Sequence, residues 1–373
     1  MNDLDNREEP LPKLAPNSHL LSKILQYPCN SCNSKMHYSA EREKLYCNYC
    51  GIEEDFEKAS DKVKEIPLHE AVKAMQSFSP QSIDKIVIAC LSCHSEIMIQ
   101  SNEVYIRCSF CGSEKVNKGA YKKNLIQPQG IIPFSISKQA AKDAFNAWIK
   151  EGWFRPNSLR TASFLESLKG IYLPFWTFDA ATYSEWVGEQ GIYYYVTVSR
   201  NGKRQRQRRT RWHHKSGSFH YNFDDVLIAG SSNIALNIIE NIYPYNLKAV
   251  INYLPELMIG WDAQIYNIEI DKAYAAADLR MHNMLYKEAS RHLGGDTQRN
   301  LQVSSDFSAQ TYKHIILPIW ICTYTYHGKI YQFAVNGQAG KIEGEKPYSR
   351  VKIFLFILFT LSVIVSIVYT SKS

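Results

Sequence analysis

Eight of the nine cysteines stand in Cys-x-x-Cys pairs, a spacing that lets both thiolates of a pair reach one metal ion. The pairs form two quartets: Cys29, Cys32, Cys47 and Cys50, then Cys90, Cys93, Cys108 and Cys111. Each member of the second quartet lies 61 positions after its counterpart, which indicates an internal duplication. Because a β-hairpin fits between the pairs, we predict two zinc ribbons with one structural Zn²⁺ ion each.

The residues beside these cysteine pairs favour the same interpretation. Gly51 and Gly112 follow the second pair of each quartet, and Asn33 and His94 follow the first pair. All three residue types tolerate a left-handed backbone, which turns amide N–H groups toward the thiolates. Zinc is favoured over iron because no other feature suggests redox chemistry. Four thiolates leave no coordination position for substrate water, so we expect the ions to be structural.

A second chemical feature is the basic run 203–212, in which six of ten residues are basic and none is acidic. Its cations are the candidate anion- or partner-binding residues Lys203, Arg204, Arg206, Arg208, Arg209 and Arg211. Asn201-Gly202 favours a type I′ turn and hence a hairpin over 192–213. With Arg200 opposite Lys203, three of the arginines share one face with Tyr193 and Tyr195. Such a face attracts a multivalent anion, which could be lipid, an acidic protein or nucleic acid, unless it only meets water.

The C-terminal segment 353–370 holds no charge and would span about 27 Å as a helix, which is close to the thickness of a bilayer core. We therefore predict a single-pass tail anchor that contacts membrane lipid through these residues. Cations precede this segment at Lys341, Lys346, Arg350 and Lys352, whereas only Lys372 follows it. The positive-inside rule then places the N-terminal domains in the cytoplasm, where thiols stay reduced. Ser362 and Ser366 form a small-x-x-x-small pair that could support homo-oligomerisation.

The elements that position these residues form an α+β body. Periodicity predicts a helix over 136–150 with Ala140, Ala144, Phe145 and Trp148 on its apolar face. Aromatic and β-branched residues predict strands in 170–199, broken by glycines, and again in 314–348, with turns at His327-Gly328 and Asn336-Gly337. Residues 224–293 are predicted to be mostly helical, ending with a helix capped by Asp271 and stopped by Gly294. Leu-Pro-x-Trp occurs at 173–176 and 317–320, and we expect Trp176, Trp320 and Cys322 to be core residues.

The predicted organisation is a disordered tail (1–20), zinc ribbon 1 (21–60), a helical spacer (61–85), zinc ribbon 2 (86–120), an α+β domain (121–348) and a transmembrane tail (349–373). The hydrophobic content of 45% excludes general disorder. The net charge of +7 does not by itself choose between nucleic acid and phospholipid as a partner.

Several catalytic motifs are missing from the sequence. The stretch "GQAGKI" is too short for a P-loop and has Ile342 where a hydroxyl should bind magnesium. His69-Glu70 does not continue into His-Glu-x-x-His, because position 73 is Lys. No nucleophile elbow is present. We therefore expect a binding protein rather than an enzyme.

The order of these features resembles a known family. Zinc ribbons are followed by "YLPFWTFDA", by "TRW" and "FDDVLIAGS", by "LPIWICTYTYHGKIYQFAVNGQAGKIEGEKPYS" and by a C-terminal span. This order is similar to that of bacterial TFIIB-type zinc-ribbon membrane proteins, often labelled primosomal protein N′ or superfamily II helicase. Some members are encoded beside PspA-like and flotillin-like SPFH proteins, so the resemblance implies a role in placing such proteins at membranes.

The sequence thus predicts a tail-anchored zinc-ribbon adaptor or scaffold that recruits protein partners to the cytoplasmic membrane face. The alternative is a membrane-tethered nucleic-acid-binding protein that uses the ribbons and the basic hairpin together.

Overall fold

The computed structural model describes residues 28–34, 36–39, 42, 44–55, 63–71, 86–99, 108, 110–111, 113–120, 126–156, 159, 165, 168–200, 203–233, 236–258 and 261–372. The predicted tail 1–20 lies outside these residues, as do residues 61–62 and 72–85 of the predicted spacer.

Two sheets carry the cysteine quartets. The first is three-stranded and contains β1 (Met36–Ser39), β2 (Lys44–Cys47) and β3 (Glu53–Glu54). The second is twelve-stranded and begins with β4 (Ile66–Pro67), β5 (Ile86–Cys90), β6 (Glu96–Ile99), β7 (Val116–Ala120) and β8 (Gly130–Ile131). Its later strands are β9 (Lys169–Arg200), β10 (Lys203–Ala229), β11 (Ile251–Asn252), β12 (Asp262–Gln264), β13 (Thr297–Tyr326), β14 (Lys329–Asn336) and β15 (Ile342–Gly344).

Strand β9 is the axis of the large sheet. It pairs antiparallel with β13 along one side, and on the other side with β12 near its start and with β10 from Phe175 onward. At about 3.3 Å per residue its 32 residues extend roughly 100 Å. We call the part of the large sheet that consists of β9, β10 and β13 the blade.

The helices that accompany the sheet include α1 (Lys138–Lys150), α2 (Leu236–Asn241), α3 (Ile270–Leu293) and α4 (Arg350–Lys372). The first is capped by Ser137 and buries Ala141, where the sequence predicted Ala140, together with Phe145 and Trp148. Its apolar face packs against the ring of Phe333 on β14, 4.4 Å from that of Phe145. The predicted amphipathic helix is therefore present, and Ala141 takes the buried position that the sequence assigned to Ala140.

Helix α3 covers one face of the blade. Its buried residues recur almost every four positions, at Ile270, Ala273, Ala277, Met281, Leu285, Ala289 and Leu293. They pack against Trp176, Phe178 and Trp186 of β9. The helix is about 36 Å long and ends where Gln190 donates a hydrogen bond to the carbonyl of Leu293. Beyond that point the hairpin of β9 and β10 continues without a covering helix among the described residues.

The structure modifies two local predictions for residues 224–293. Residues 224–293 combine strands with the predicted helices, since β10 runs to Ala229 and β11 and β12 follow. The apolar run 226–229 is buried on both sheet faces, and such a strand has the same composition as a buried helix. Asp271 is not the cap of α3, because Glu269 holds that position and Asp271 falls in the first turn. Gly294 is the C-cap, as predicted.

The glycines of β9 do not break the strand either. Gly191 stays inside the ladder because a Cβ there would lie 2.5 Å from Cγ2 of Thr297 and 2.8 Å from Cγ2 of Thr210. Glycine therefore lets three strands approach closely at this point. The two Leu-Pro-x-Trp motifs lie within strands instead of opening them, and they pair antiparallel with Leu317 opposite Leu173.

Candidate metal centres and the arginine hairpin

The first quartet is assembled by the β1–β2 hairpin, in which Met36 pairs with Cys47. Cys29 and Cys50 place their sulfur atoms 3.4 Å apart, and Cys32 and Cys47 place theirs 3.5 Å apart. The backbone turns as predicted, with left-handed φ values of 58° at Asn33 and 78° at Gly51. Asn33 N–H donates to the carbonyl of Cys29, and Gly51 N–H to that of Cys47. Each cysteine pair thus closes a short loop around its thiolates.

The second quartet repeats this geometry. The sulfur atoms of Cys90 and Cys111 lie 3.5 Å apart, and those of Cys93 and Cys108 lie 3.7 Å apart. His94 has a φ of 56° and donates its N–H to the carbonyl of Cys90, so it matches Asn33 of the first quartet. The prediction for Gly112 falls outside the described residues.

Both quartets fit a zinc ion. Within each one, all four sulfur atoms lie within 4.8 Å of one another, and a tetrahedron with Zn–S bonds of about 2.3 Å has edges of about 3.8 Å. All eight cysteines are free thiols. Hydrogen bonds from Cys93 and Ser95 lower the pKa of Cys108 to about 4, and hydrogen bonding to Ser34 lowers the pKa of Cys32 to about 6. Hydrogen bonds within the quartets in turn contribute to a raised pKa at Cys50 and Cys93, so the thiols of each quartet do not ionise independently of one another.

Both ribbons are attached to the body. Cys29 and Cys47 share a hydrophobic cluster with Phe145 and Trp320. In the second ribbon, the carbonyl of Phe110 accepts hydrogen bonds from Thr323 and Gln332, and β6 pairs with β12. A metal at either quartet would thus stabilise packing of the body as well as its own ribbon.

A third group of possible ligands consists of Asp179, Asp224 and Asp225 at the bulge in β10. Here the ammonium of Lys313 lies 2.7 Å from Asp225 and 3.7 Å from Asp179, and it also pairs with Glu65 at 3.1 Å. Burial opposes its charge, but the hydrogen bond to Asp225 and the nearby Asp179 raise the pKa of Lys313. The side chain of Lys313 therefore supplies the cation that these carboxylates need, and we assign no metal to them. The sequence analysis did not single out Lys313, because a lysine within an apolar strand carries no local signal of its partners.

The basic hairpin has the predicted register. Lys203 pairs with Arg200, Arg206 with Thr197 and Arg208 with Tyr195. The guanidinium of Arg206 lies 4.3 Å from the ring centre of Tyr195, and that of Arg208 lies 4.2 Å from that of Tyr193. Arg204, Arg206 and Arg208 therefore stand on one face, which we call the arginine face. Arg209 and Arg211 lie on the opposite face.

The five hairpin arginines on β10 (Arg204, Arg206, Arg208, Arg209 and Arg211) are exposed, and none of them forms an ion pair with another described residue. At the base of the hairpin the pattern changes, because Arg299 forms two hydrogen bonds with Glu189 and stacks on Trp212 at 4.1 Å. The outer edge of β10 pairs with no strand in the described part of the chain. Exposed guanidinium groups thus lie along the edge of β10 that is unpaired among the described residues.

The hairpin and the apolar helix lie at opposite ends of β9. Lys169 at the start of β9 pairs with Ile321, and β13 continues beyond it to Thr323, which pairs with Gln332. Glu345 N–H donates to the carbonyl of Gln332, and α4 begins five residues later. The hairpin turn follows Arg200, at the far end of the same strand. Lipid contact at the hairpin therefore does not follow from the position of the apolar helix in the chain.

Helix α4 is long and apolar enough to cross a membrane: the window 350–367 has a mean hydropathy of 2.2, and none of it is buried. Ser362 and Ser366 lie one turn apart on it, and their hydroxyls donate to the carbonyls of Phe359 and Ser362. Trp176, Trp320 and Cys322 are buried, as predicted.

The chain is 24% identical over 339 residues to "Uncharacterized protein YdjG" of Bacillus subtilis (strain 168). This alignment covers 88% of the chain and 92% of that protein. No protein-family model and no solved structure matches the chain.

Proposed function

We propose that this protein is a tail-anchored adaptor that spans the membrane once through α4 and recruits an acidic protein through its arginine face. The cytoplasm holds the body, because cations precede the apolar segment and the eight thiols require a reducing compartment. Two structural Zn²⁺ ions hold the ribbons. The role is one of binding and not of catalysis.

One observation carries the proposal: a single strand joins the anchored end of the body to a hairpin whose five arginines lack acidic partners within the described chain. Unpaired like charges at this spacing repel one another, so a polyanion would relieve the repulsion on binding. A rigid blade would hold this polyanion roughly 100 Å along the strand from the anchor.

The arginine face and the free edge of β10 together fit an extended acidic segment. Alternate residues of a strand are about 7 Å apart, so a segment added beside β10 would bring every second side chain opposite Arg204, Arg206 and Arg208. Carboxylates at those positions would form charge-assisted hydrogen bonds with the guanidinium groups. The rings of Tyr193 and Tyr195 already have a guanidinium on one face, which favours carboxylates over stacked nucleic-acid bases.

A membrane-tethered nucleic-acid binder is the second candidate function, because phosphates also pair with exposed arginines. The two candidates differ in salt dependence. Each neutralised phosphate releases counterions. The logarithm of the affinity for DNA or RNA would therefore fall linearly and steeply with the logarithm of the salt concentration.

The test uses the full-length protein in nanodiscs as bait for cytoplasmic extract from its native source. Arg206→Gln with Arg208→Gln alters the arginine face, and Arg209→Gln with Arg211→Gln removes the same charge from the opposite face. We expect the first variant to lose a specific protein partner that the second retains. Equal losses would mean that only net charge matters. Retention by both variants, or tight binding of an oligonucleotide with a steep salt slope, would contradict the adaptor proposal.

A further inference from the structure

A short segment that follows α1, residues 151–155, is attached to the start of α4. The amide of Ser349 donates to the carbonyl of Phe154 at 2.8 Å, and the ammonium of Lys352 donates to that of Arg155 at 2.7 Å. The rings of Trp153 and Phe154 lie 6.5 Å and 5.3 Å from that of Phe356. Trp153 itself is 79% exposed. The segment thus carries an exposed tryptophan beside the first turns of the apolar helix.

If α4 crosses the bilayer, this contact sets the depth of Trp153 in the membrane. The inference therefore rests on the proposed function. Phe356 lies six residues into the helix, about 9 Å from Arg350 along its axis. A tryptophan at that level lies in the interfacial layer, where its amphipathic ring is favoured. Groups just outside Trp153 then lie at the level of the lipid phosphates.

An open cavity of about 750 Å³ occupies this position. Three cations line it, Arg155, Lys341 and Lys346, together with the carboxylates of Glu151 and Glu343. The lining is therefore net positive before Arg350 and Lys352 at the start of α4 are added. A positive cavity beside a transmembrane helix is suited to an anionic headgroup.

The cations are held in place by their neighbours. The guanidinium of Arg155 donates to the carbonyl of Lys346 at 3.1 Å and lies 4.3 Å from the ring centre of Tyr348. Lys346 pairs with Glu151 at 3.1 Å and lies 4.3 Å from the ring centre of Trp148. Lys341 donates to the carbonyl of Tyr243. An ammonium has three N–H donors, so both lysines can bind a phosphate oxygen in addition to these partners.

We propose that this cavity binds the phosphate of an anionic phospholipid from the cytoplasmic leaflet. The lipid phosphate contacts Lys341 and Lys346, and Arg155 positions the backbone between the cavity and α4. Trp153 and Phe154 contact the upper part of the acyl chains. The site selects anionic over zwitterionic lipids because a choline group would bring a second cation to a positive cavity.

The experiment measures which lipids stay with the full-length protein. Wild type is reconstituted in phosphatidylcholine vesicles that contain a minor fraction of phosphatidylglycerol, then extracted in polymer-bounded discs for lipid analysis. We expect phosphatidylglycerol to be enriched beside the protein. Lys341→Gln with Lys346→Gln should lower this enrichment by about 25-fold, at about fivefold per cation. Arg206→Gln with Arg208→Gln removes equal charge at the distant hairpin and should leave it unchanged.

Further variants and measurements distinguish failure of the lipid site from failure of the proposed membrane span. Lys341→Arg with Lys346→Arg keeps the charge and should retain enrichment, and an unchanged zinc content in the Gln variant checks that this variant is folded. Wild type that washes off vesicles with carbonate would overturn the membrane span itself. Wild type that stays in the vesicles without enrichment would overturn only the lipid site. If the protein in neutral detergent binds inorganic phosphate and the Gln variant does not, while enrichment in vesicles is absent, then the site serves free phosphate.

Discussion

At the residue scale, spacing decides which side chains act together. The 61-residue repeat makes the two quartets equivalent, and the structure gives them matching backbone turns at Asn33 and His94. Left-handed conformations are rare outside glycine, so their recurrence at equivalent positions reflects a demand of the site. The acidic group around Asp225 differs, because Lys313 already neutralises it. A cluster of possible metal ligands is therefore not by itself evidence of a metal site.

Removing one ligand tests the zinc assignment. Cys47→Ser should lower the zinc content of the purified protein from two ions per chain to about one, because a set of three thiolates binds far more weakly than four. Cys322→Ser is the matched control, since Cys322 belongs to neither quartet and the variant should retain two ions. Elemental analysis measures both. An unchanged zinc content in Cys47→Ser would contradict the ligand set.

Buried His314 predicts a dependence of stability on pH. Its ring stacks on Trp176, its Nδ1–H donates to the carbonyl of Ile126 at 2.8 Å, and burial lowers its pKa to about 4. The unfolded chain therefore binds a proton between pH 6.5 and pH 4 that the folded protein does not bind. The contribution of this histidine to stability is intact above pH 6.5 and falls by about 3 kcal/mol as the pH decreases to 4.

Chemical unfolding of the full-length protein in detergent at pH 7 and pH 4.5 checks this expectation. His314→Phe keeps an aromatic ring against Trp176 but cannot be protonated. Its stability should change between the two pH values by about 2 to 3 kcal/mol less than that of wild type. Comparing the two proteins cancels the acid-dependent loss of zinc from both. An equal change in the two proteins would show that His314 does not titrate in this range.

At the element scale, the blade depends on close contact between its strands. Register was predictable because Asn-Gly fixes a two-residue turn, and a two-residue turn fixes every pair that follows. The length of β9 was not predictable, since Gly188 and Gly191 have the composition of a strand break. Side chains from two other strands, among them Thr210 and Thr297, explain why glycine stays inside β9 at Gly191.

Gly191→Val should therefore loosen the base of the hairpin. The added side chain would overlap both threonines, and overpacking of this kind costs about 1 to 3 kcal/mol. We expect faster hydrogen exchange in 192–211 with unchanged zinc content. Thr197→Val, at a position of the same strand near the hairpin tip, should leave the exchange unaltered. Unchanged protection in Gly191→Val would mean that the strands can separate at no measurable cost.

At the scale of the whole molecule, the apolar helix α4 and the basic hairpin lie toward opposite ends of β9. Cations are found at both ends of the body, but their surroundings differ. Those near α4 line a cavity beside an exposed tryptophan, whereas those of the hairpin flank a strand edge that is unpaired within the described chain. One basic region thus suits lipid, and the other suits a partner held away from the lipid.

Energy transfer to headgroup-labelled lipid measures this separation. A fluorophore placed at position 153 of the full-length protein in nanodiscs should transfer efficiently, because Trp153 contacts the start of α4. A fluorophore at position 204 should transfer weakly, because it lies roughly 100 Å along β9 from that end. Strong transfer from position 204 would show that the blade lies along the bilayer. The hairpin arginines would then contact lipid.

The sequence by itself determined the features that depend on local spacing: both quartets, their turns, the hairpin register, the amphipathic α1 and the apolar character of α4. Each follows from residues near one another in the chain, whose geometry is set by backbone sterics and periodicity. Tertiary structure alone decided the length of β9, the pairing of Lys313 with Asp225 and the cavity beside Trp153. These depend on contacts between residues that are distant in sequence, where burial and charge compensation outweigh local preference.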